Sequence, residues 1–424
     1  MAAPGPAAAP PGLRAVFSRA GLLTCGFYAA IFTAIGAHLP FWPVWLSTWG
    51  LSEAEVGAYM GAGLVLRIVA NAVLGALADR FAIRRAMLSV LGVASAVVFV
   101  LHLAAETKAV LFLLTLLVTT TLSPMIPLGE ALGLRAAGRH GFAYAHARAA
   151  GSVAFLLANM GVGWAIAETS PDAALWTLVA ANLATAAFGL LHPGGGEPAG
   201  VHPGGGHPGG AHPSGTPALD QARLREGLAL FRTPTLAWFA VAAALGQGAH
   251  ATYYLYGSID WARQGIDAAT IGQLWAVGVV AETVLMLGPG AAWVARLGAL
   301  RAMILGAGVG AIRWTAMVFD PGLEFLWPLQ ALHAFSFGLL HLATMAYAAQ
   351  NIPPRLAASG QGVLLGLASG VSMALATLAA GWLTGIAGLW SAWAMCAAMG
   401  VGSALAALAA GRALSRNPGE GKGA

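Results

Sequence analysis

Charge is what this chain has least of. Asp, Glu, Lys and Arg make up only 9% of its 424 residues, against 58% hydrophobic. A water-soluble protein of this size clothes its core in charge, so a soluble globular fold is excluded. Cysteine is nearly absent. Cys25 and Cys396 are the two in the chain, both inside apolar runs, which excludes a disulfide framework and cysteine metal sites. No run alternates apolar and polar residues with period two. Lipid tolerates strands only in closed barrels, so a β-barrel is excluded as well.

What is present is apolar length. Twelve runs of about 20 residues recur near 21–46, 56–77, 86–104, 109–129, 147–167, 173–191, 235–257, 270–293, 301–319, 324–349, 360–386 and 389–411. Each is long enough to cross about 30 Å of hydrocarbon as a helix. The first run lacks a small-residue cleavage site and is too long for a signal peptide's apolar core, so it is expected to be a retained helix. The class is therefore an all-α membrane protein with a lipid bilayer as its main partner.

The net charge of +5 invites a nucleic-acid reading, but its distribution answers otherwise. With the N-terminus inside and twelve crossings, sixteen basic residues fall inside and only Lys108 and Arg263 outside. That is the positive-inside pattern, so both termini are expected in the cytoplasm of a cell with a bacterial-type inner membrane. The remaining three basic residues, Arg67, Arg148 and Arg313, fall within or at the ends of apolar runs.

The chain divides in two. Residues 192–218 repeat His-Pro-Gly units, a composition that cannot pack and reads as a flexible linker. His192, His202, His207 and His212 give it metal-binding potential, yet a solvated linker is the better reading, and no metal or cofactor is expected. The expected organisation is a tail over 1–20, a six-helix bundle over 21–191, a linker over 192–234, a second six-helix bundle over 235–411 and a tail over 412–424. The halves repeat each other. Gly36-Ala37-His38 recurs as Gly248-Ala249-His250, and the spacing of Gly50 and Gly57 recurs at Gly265 and Gly272, with an offset drifting from 212 to 215. In this register Arg67 is the counterpart of Glu282. Such repeats are typical of secondary transporters, whose site lies between the halves at mid-membrane.

Between the second and third runs stands Gly75-Ala-Leu-Ala-Asp79-Arg80-Phe-Ala-Ile-Arg84-Arg85. It resembles the Gly-x-x-x-Asp-Arg-x-x-x-Arg-Arg signature of the major facilitator superfamily, at its expected place. The resemblance implies that fold, twelve helices in two pseudo-symmetric bundles, and a gating role for the motif. The matching loop of the second half, near Arg296 and Arg301, is degraded.

An ionisable group at a helix centre costs roughly 2.5–3.5 kcal/mol on insertion scales, so such groups face water, a partner or a ligand. The candidates are Arg67, Glu130, Arg148, Glu282 and Arg313, with His38, His250, His333 and His341. Glu130 follows Pro124 and Pro127, and sits either in a pocket opened by a bent helix or in a wet loop. Arg148 is then either a partner in that pocket or a snorkelling interface residue. Glu282 is too deep and too short to reach the surface, so it is neutral, paired or facing a cavity. Arg67 and Arg313 are the candidate structural partners. Gln330, His333, Phe337 and His341 lie near one helix face. A histidine there suits a proton-coupled cycle, though helix packing satisfies it equally well. Gln247, His250, Tyr253 and Tyr254 form an aromatic, hydrogen-bonding set suited to a planar or sugar-like solute.

Leu39-Pro40-Phe41-Trp42-Pro43-Val44-Trp45-Leu46, the stretch Gln247 to Tyr254, Trp275 to Glu282, Arg313-Trp314 and His341 to Met345 resemble the lactose permease branch, and within it the phenylpropionate permeases. The resemblance implies that Glu130 and Arg148 stand for the permease's sugar-binding pair. It implies that Glu282 stands near its helix-eight glutamate and that Arg313 and His333 match its arginine and histidine. Ser336 replaces the glutamate that carries the proton there, and Gln330 replaces a lysine. The charge pair between helices seven and eleven is absent, with Ser369 at the lysine's place.

The expected activity is proton-coupled symport of a small organic solute by alternating access, and no catalysis. The resemblance favours an aromatic carboxylate such as 3-phenylpropionate. Proton coupling falls to Glu282, His333, Arg313 and Glu130. Substrate binding falls to Arg67, Glu130, Arg148, His38, Gln247, His250, Tyr253, Tyr254, Gln330 and His341. Protons and a small molecule are the expected partners, nucleic acid is not, and a monomer is expected. Sugar or nucleoside uptake and drug efflux by antiport are the competing activities.

Overall fold

The computed structural model describes residues 13–195 and 221–416, and among these there is no strand. After a short 3-10 turn at Leu13–Phe17, the first half contains six helices. They are α1 (Arg19–Ser47), α2 (Glu53–Arg80), α3 (Arg84–His102), α4 (Lys108–His140), α5 (Tyr144–Glu168) and α6 (Asp172–Leu191). In the second half, α7 comes in two segments, Pro234–Gly248 and Ala251–Arg263. Then follow α8 (Ala268–Leu287), α9 (Ala299–Met317), α10 (Leu323–Asn351), α11 (Ser359–Ala387) and α12 (Leu389–Arg416).

Ten of the described helices are individually long and apolar enough to cross a bilayer. The count is eleven only if α9 and the short helix Gly290–Leu297, bent by 117° to it, are taken together as one span. The two segments of α7, of 15 and 13 residues, occupy the place of the expected seventh run. Gly246 and Gly248 weaken the helix where it breaks. Gly248 also lets α11 approach, for a Cβ there would lie 2.4 Å from Ser372 Oγ.

Two boundaries differ from expectation for identifiable reasons. α4 does not end near 129 but continues to His140, where Gly141 closes it with a φ of 68°. Pro124 precedes the second part of this helix, and Pro127 falls in its first turn, where a missing N–H costs nothing. Glu130 is thus helical and not in a wet loop. α8 stops at Leu287, short of the expected 293, because Gly288-Pro289 interrupts it. The linker expectation over 192–234 is also redrawn at its ends. His192 is buried and accepts the Gly194 N–H at 3.1 Å, while Gln221–Leu230 is helical. His202, His207 and His212 lie outside the described residues.

The odd-to-even connections, such as α1–α2 and α7–α8, share one membrane face, called here the Glu53 face. The others share the Asp79 face. The apolar core treats these faces unequally. One buried cluster runs through the first half and continues into the Glu53 end of the second through Tyr253, Trp261, Trp275 and Trp393. A separate cluster, around Phe239, Met303 and Tyr347, fills the Asp79 end of the second half alone. Among the described residues, the shared apolar core joins the halves mainly toward the Glu53 face.

Glycines make that fusion tight. A Cβ on Gly57 of α2 would lie 2.5 Å from the Gly381 backbone of α11, and one on Gly272 of α8 2.2 Å from the Asn159 carbonyl of α5. Arg263 pairs with Glu53 across the same seam, and the Tyr256 hydroxyl donates to the Glu53 carbonyl.

Candidate functional site

Arg313 organises the second half's polar centre. α9 buries it completely. Its guanidinium donates to Gln330 Oε1 at 2.8 Å and to Ser336 Oγ at 3.3 Å, and meets His333 Nδ1 at 3.1 Å. Its remaining face covers the rings of Trp314 at 4.3 Å and Tyr253 at 4.7 Å. The acceptors lie on α10, around a π-helical turn at Ala334–Leu339 that shifts the side-chain register just after His333.

This geometry assigns a tautomer. Arginine is always protonated and can only donate, so His333 Nδ1 must present its lone pair. The imidazole proton is then on Nε2, which faces Glu282 Oε2 at 3.5 Å. His333 thus turns its Nε2–H side, and not a lone pair, toward Glu282 across this 3.5 Å separation. Neither Arg67 nor Arg313 pairs with Glu282 in the structure.

The first half holds a second polar centre. Arg148 Nε donates to Glu130 Oε1 at 2.9 Å, and the Tyr28 hydroxyl donates to the other oxygen at 3.2 Å. Arg148 also covers the Phe32 ring at 3.9 Å.

Two adjoining cavities lie between the halves. The smaller, of about 190 Å³, is lined by Glu282, His333, Tyr253, Trp275 and Phe32. The larger, of about 420 Å³, is lined by Arg67, His38, Gln247, His341 and Ser369 within a mainly apolar wall. Leu39, Tyr254 and Phe337 border both. The larger volume falls within the range of small-molecule sites.

The structure thus brings most of the nominated residues to one region. Some stand behind the walls. His250 is buried at the α7 break, with Nδ1 against the Gly246 carbonyl at 3.1 Å and its ring edge-on to His333. Gln330 is committed to Arg313. Glu130 and Arg148 sit behind Phe32. Sequence reasoning missed Tyr28 and Phe32, although they fall at helical spacing with Ile35 and Leu39 on α1, a signal available beforehand. At the Asp79 face, Arg84 pairs with Asp79, Arg85 donates to the Leu190 carbonyl, and Arg80 covers the Phe81 ring. Gly75 lies one turn above, partly buried on α2.

The chain is similar to known proteins over most of its length. A model of the MFS_1 like family matches residues 23–395. The chain belongs to that family. It is 29% identical over 369 residues to the probable 3-phenylpropionic acid transporter of Escherichia coli (strain K12), covering 87% of this chain and 92% of the relative. It is 26% identical over 362 residues to a maltose permease of Geobacillus stearothermophilus, covering 84% and 86%. Among solved structures, the nucleoside transporter NupG superposes with a TM-score of 0.76 at 17% identity, covering 92% of this chain and 98% of that one. That likeness confirms the fold. The protein is a multi-pass membrane transporter of the major facilitator type, and not an enzyme.

Proposed function

We propose that this protein is a proton-coupled symporter that takes up a small organic solute by alternating access. The supporting observation is the Arg313–His333–Glu282 relay. Arg313 holds the only lone pair of the neutral imidazole, which makes His333 a donor and leaves Glu282 as the group that gains and loses the proton. This reading replaces the helix-ten carboxylate of the sugar permeases, whose place Ser336 takes, by Glu282 itself. The moving bodies are the bundles over 21–191 and 235–411, with both termini in the cytoplasm of an inner membrane. The Glu53 face is then the outer one, and the packing asymmetry corresponds to an inward-open state.

The test is uptake by proteoliposomes under an imposed ΔpH, acid outside. Accumulation above equilibrium that collapses with a protonophore is expected. Uptake indifferent to ΔpH would sink the symport reading.

The likeness to the 3-phenylpropionic acid transporter favours an aromatic carboxylate as solute. The maltose permease likeness favours a sugar instead. Competition binding with 3-phenylpropionate, maltose and uridine separates these. Export of cationic dyes on overexpression would point instead to efflux by antiport.

A further inference from the structure

Arg67 is a half-buried charge within the membrane-spanning region that the proton relay does not use. It stands midway along α2 and lines the larger cavity. Among the described residues it has no ion pair or hydrogen bond to any side chain, in contrast to Arg148 and Arg313. The cavity it enters contains no Asp or Glu. Its repeat counterpart, Glu282, opens into the other cavity, on the far side of Tyr254 and Phe337. A cation kept inside a membrane protein needs an anion or water beside it. Here the protein supplies no anion, so the charge is left for a ligand to meet.

The remaining wall fixes what else that ligand carries. Met60, Leu64, Leu255, Met373 and Phe337 give the cavity an apolar surface beside the guanidinium. A planar fork of donors suits a carboxylate, and the wall suits a ring or alkyl group a few bonds away. A sugar or nucleoside would find hydroxyl and amide partners in Thr119, Ser123, Gln247, Ser369 and Thr377, but would bring no charge to Arg67.

We infer that Arg67 anchors the carboxylate of an amphipathic monocarboxylate whose apolar body occupies the larger cavity, in a chamber separate from the Glu282 proton site. This deepens the symport reading by naming the substrate class and its anchor. It also makes substrate charge and transported proton distinct positions that do not compete for one side chain.

The experiment is equilibrium binding to purified full-length protein, using 3-phenylpropionate and its neutral isostere 3-phenylpropionamide, with maltose as a third ligand. The wild type should bind the acid at least about tenfold more tightly than the amide, a difference of about 1.4 kcal/mol. Arg67→Gln should erase that preference while leaving amide binding and thermal stability in place, and Arg67→Lys should restore part of it. Equal binding of acid and amide by the wild type overturns the inference. So does an unchanged preference in Arg67→Gln, or selective binding of maltose. Binding needs no proton gradient. Failure of ΔpH-driven uptake with this pattern intact would therefore remove the symport reading and leave the anchor standing.

Discussion

Glu282 Oε2 lies 3.5 Å from His333 Nε2, and among the described residues no arginine or lysine pairs with that carboxylate. A carboxylate held by arginine would be locked in its charged form. One held by a neutral donor, at the wall of a cavity, remains free to exchange a proton. On the symport reading, Glu282→Gln should bind solute and exchange it across the membrane at equilibrium, yet fail to accumulate it under ΔpH. Paired exchange and accumulation assays on the same vesicles check this. Undiminished accumulation would remove Glu282 from the role.

His333 has a structural duty besides. His333→Leu removes an acceptor from the buried Arg313 guanidinium, which should cost about 1–3 kcal/mol of stability. His333→Gln, which keeps an acceptor oxygen, should recover much of it. Thermal unfolding in detergent reads both. Equal losses in the two variants would show that Arg313 does not depend on this contact.

The Glu130–Arg148 pair is partly exposed, at 21% and 31% of its side chains. Its coupling should fall between that of surface and fully buried pairs, about 1–2 kcal/mol in a double-mutant cycle of Glu130→Gln and Arg148→Gln. A coupling near zero would assign both residues to independent roles.

A side chain cannot fit between Gly57 and Gly381 without parting α2 from α11. Gly57→Leu should hold the Glu53 face open. Uptake should cease while solute binding persists, and a cysteine placed on that side of the cavity should label faster from the Glu53 face. Normal uptake by Gly57→Leu would show that the seam yields elsewhere.

Asp79→Asn frees Arg84 at the turn between α2 and α3. If the motif gates the motion of the halves, the maximal uptake rate should fall while binding affinity stays within about threefold, under 1 kcal/mol. An unchanged rate would leave the motif a mere basic turn.

Much of this was legible in advance because the bilayer leaves few choices. An apolar run of spanning length becomes a helix whatever its neighbours do. The repeat of Gly36-Ala37-His38 at Gly248-Ala249-His250 is what suggests two halves. Boundaries failed where backbone chemistry is local. The fourth run was expected to end near 129, yet Pro127 lies in a first turn, where it is harmless, and the helix continues to His140; His250 sits at a break its repeat mate His38 lacks. The site was legible as a set of costly charges and, through the resemblance, as the Glu130–Arg148 pair, but the partners of Arg313 were not all legible. Spacing cannot say that Arg313 takes His333, Gln330 and Ser336 together, because that depends on a π-helical turn with no sequence signature. Tyr28 was missed because one hydroxyl on an apolar helix carries no visible cost.

The tryptophans are gathered unevenly. Trp42, Trp45, Trp261, Trp275, Trp314 and Trp393 are all in the one buried cluster that reaches the Glu53 face, while among the described residues the cluster at the Asp79 end has only the partly buried Trp293 packed against it. On the alternating-access reading, reversal of the cycle has to open that side to water. The chain therefore carries its own optical gauge. Its emission should shift to the red as the seam parts, so one cuvette of unlabelled protein can follow in time which way the molecule is facing.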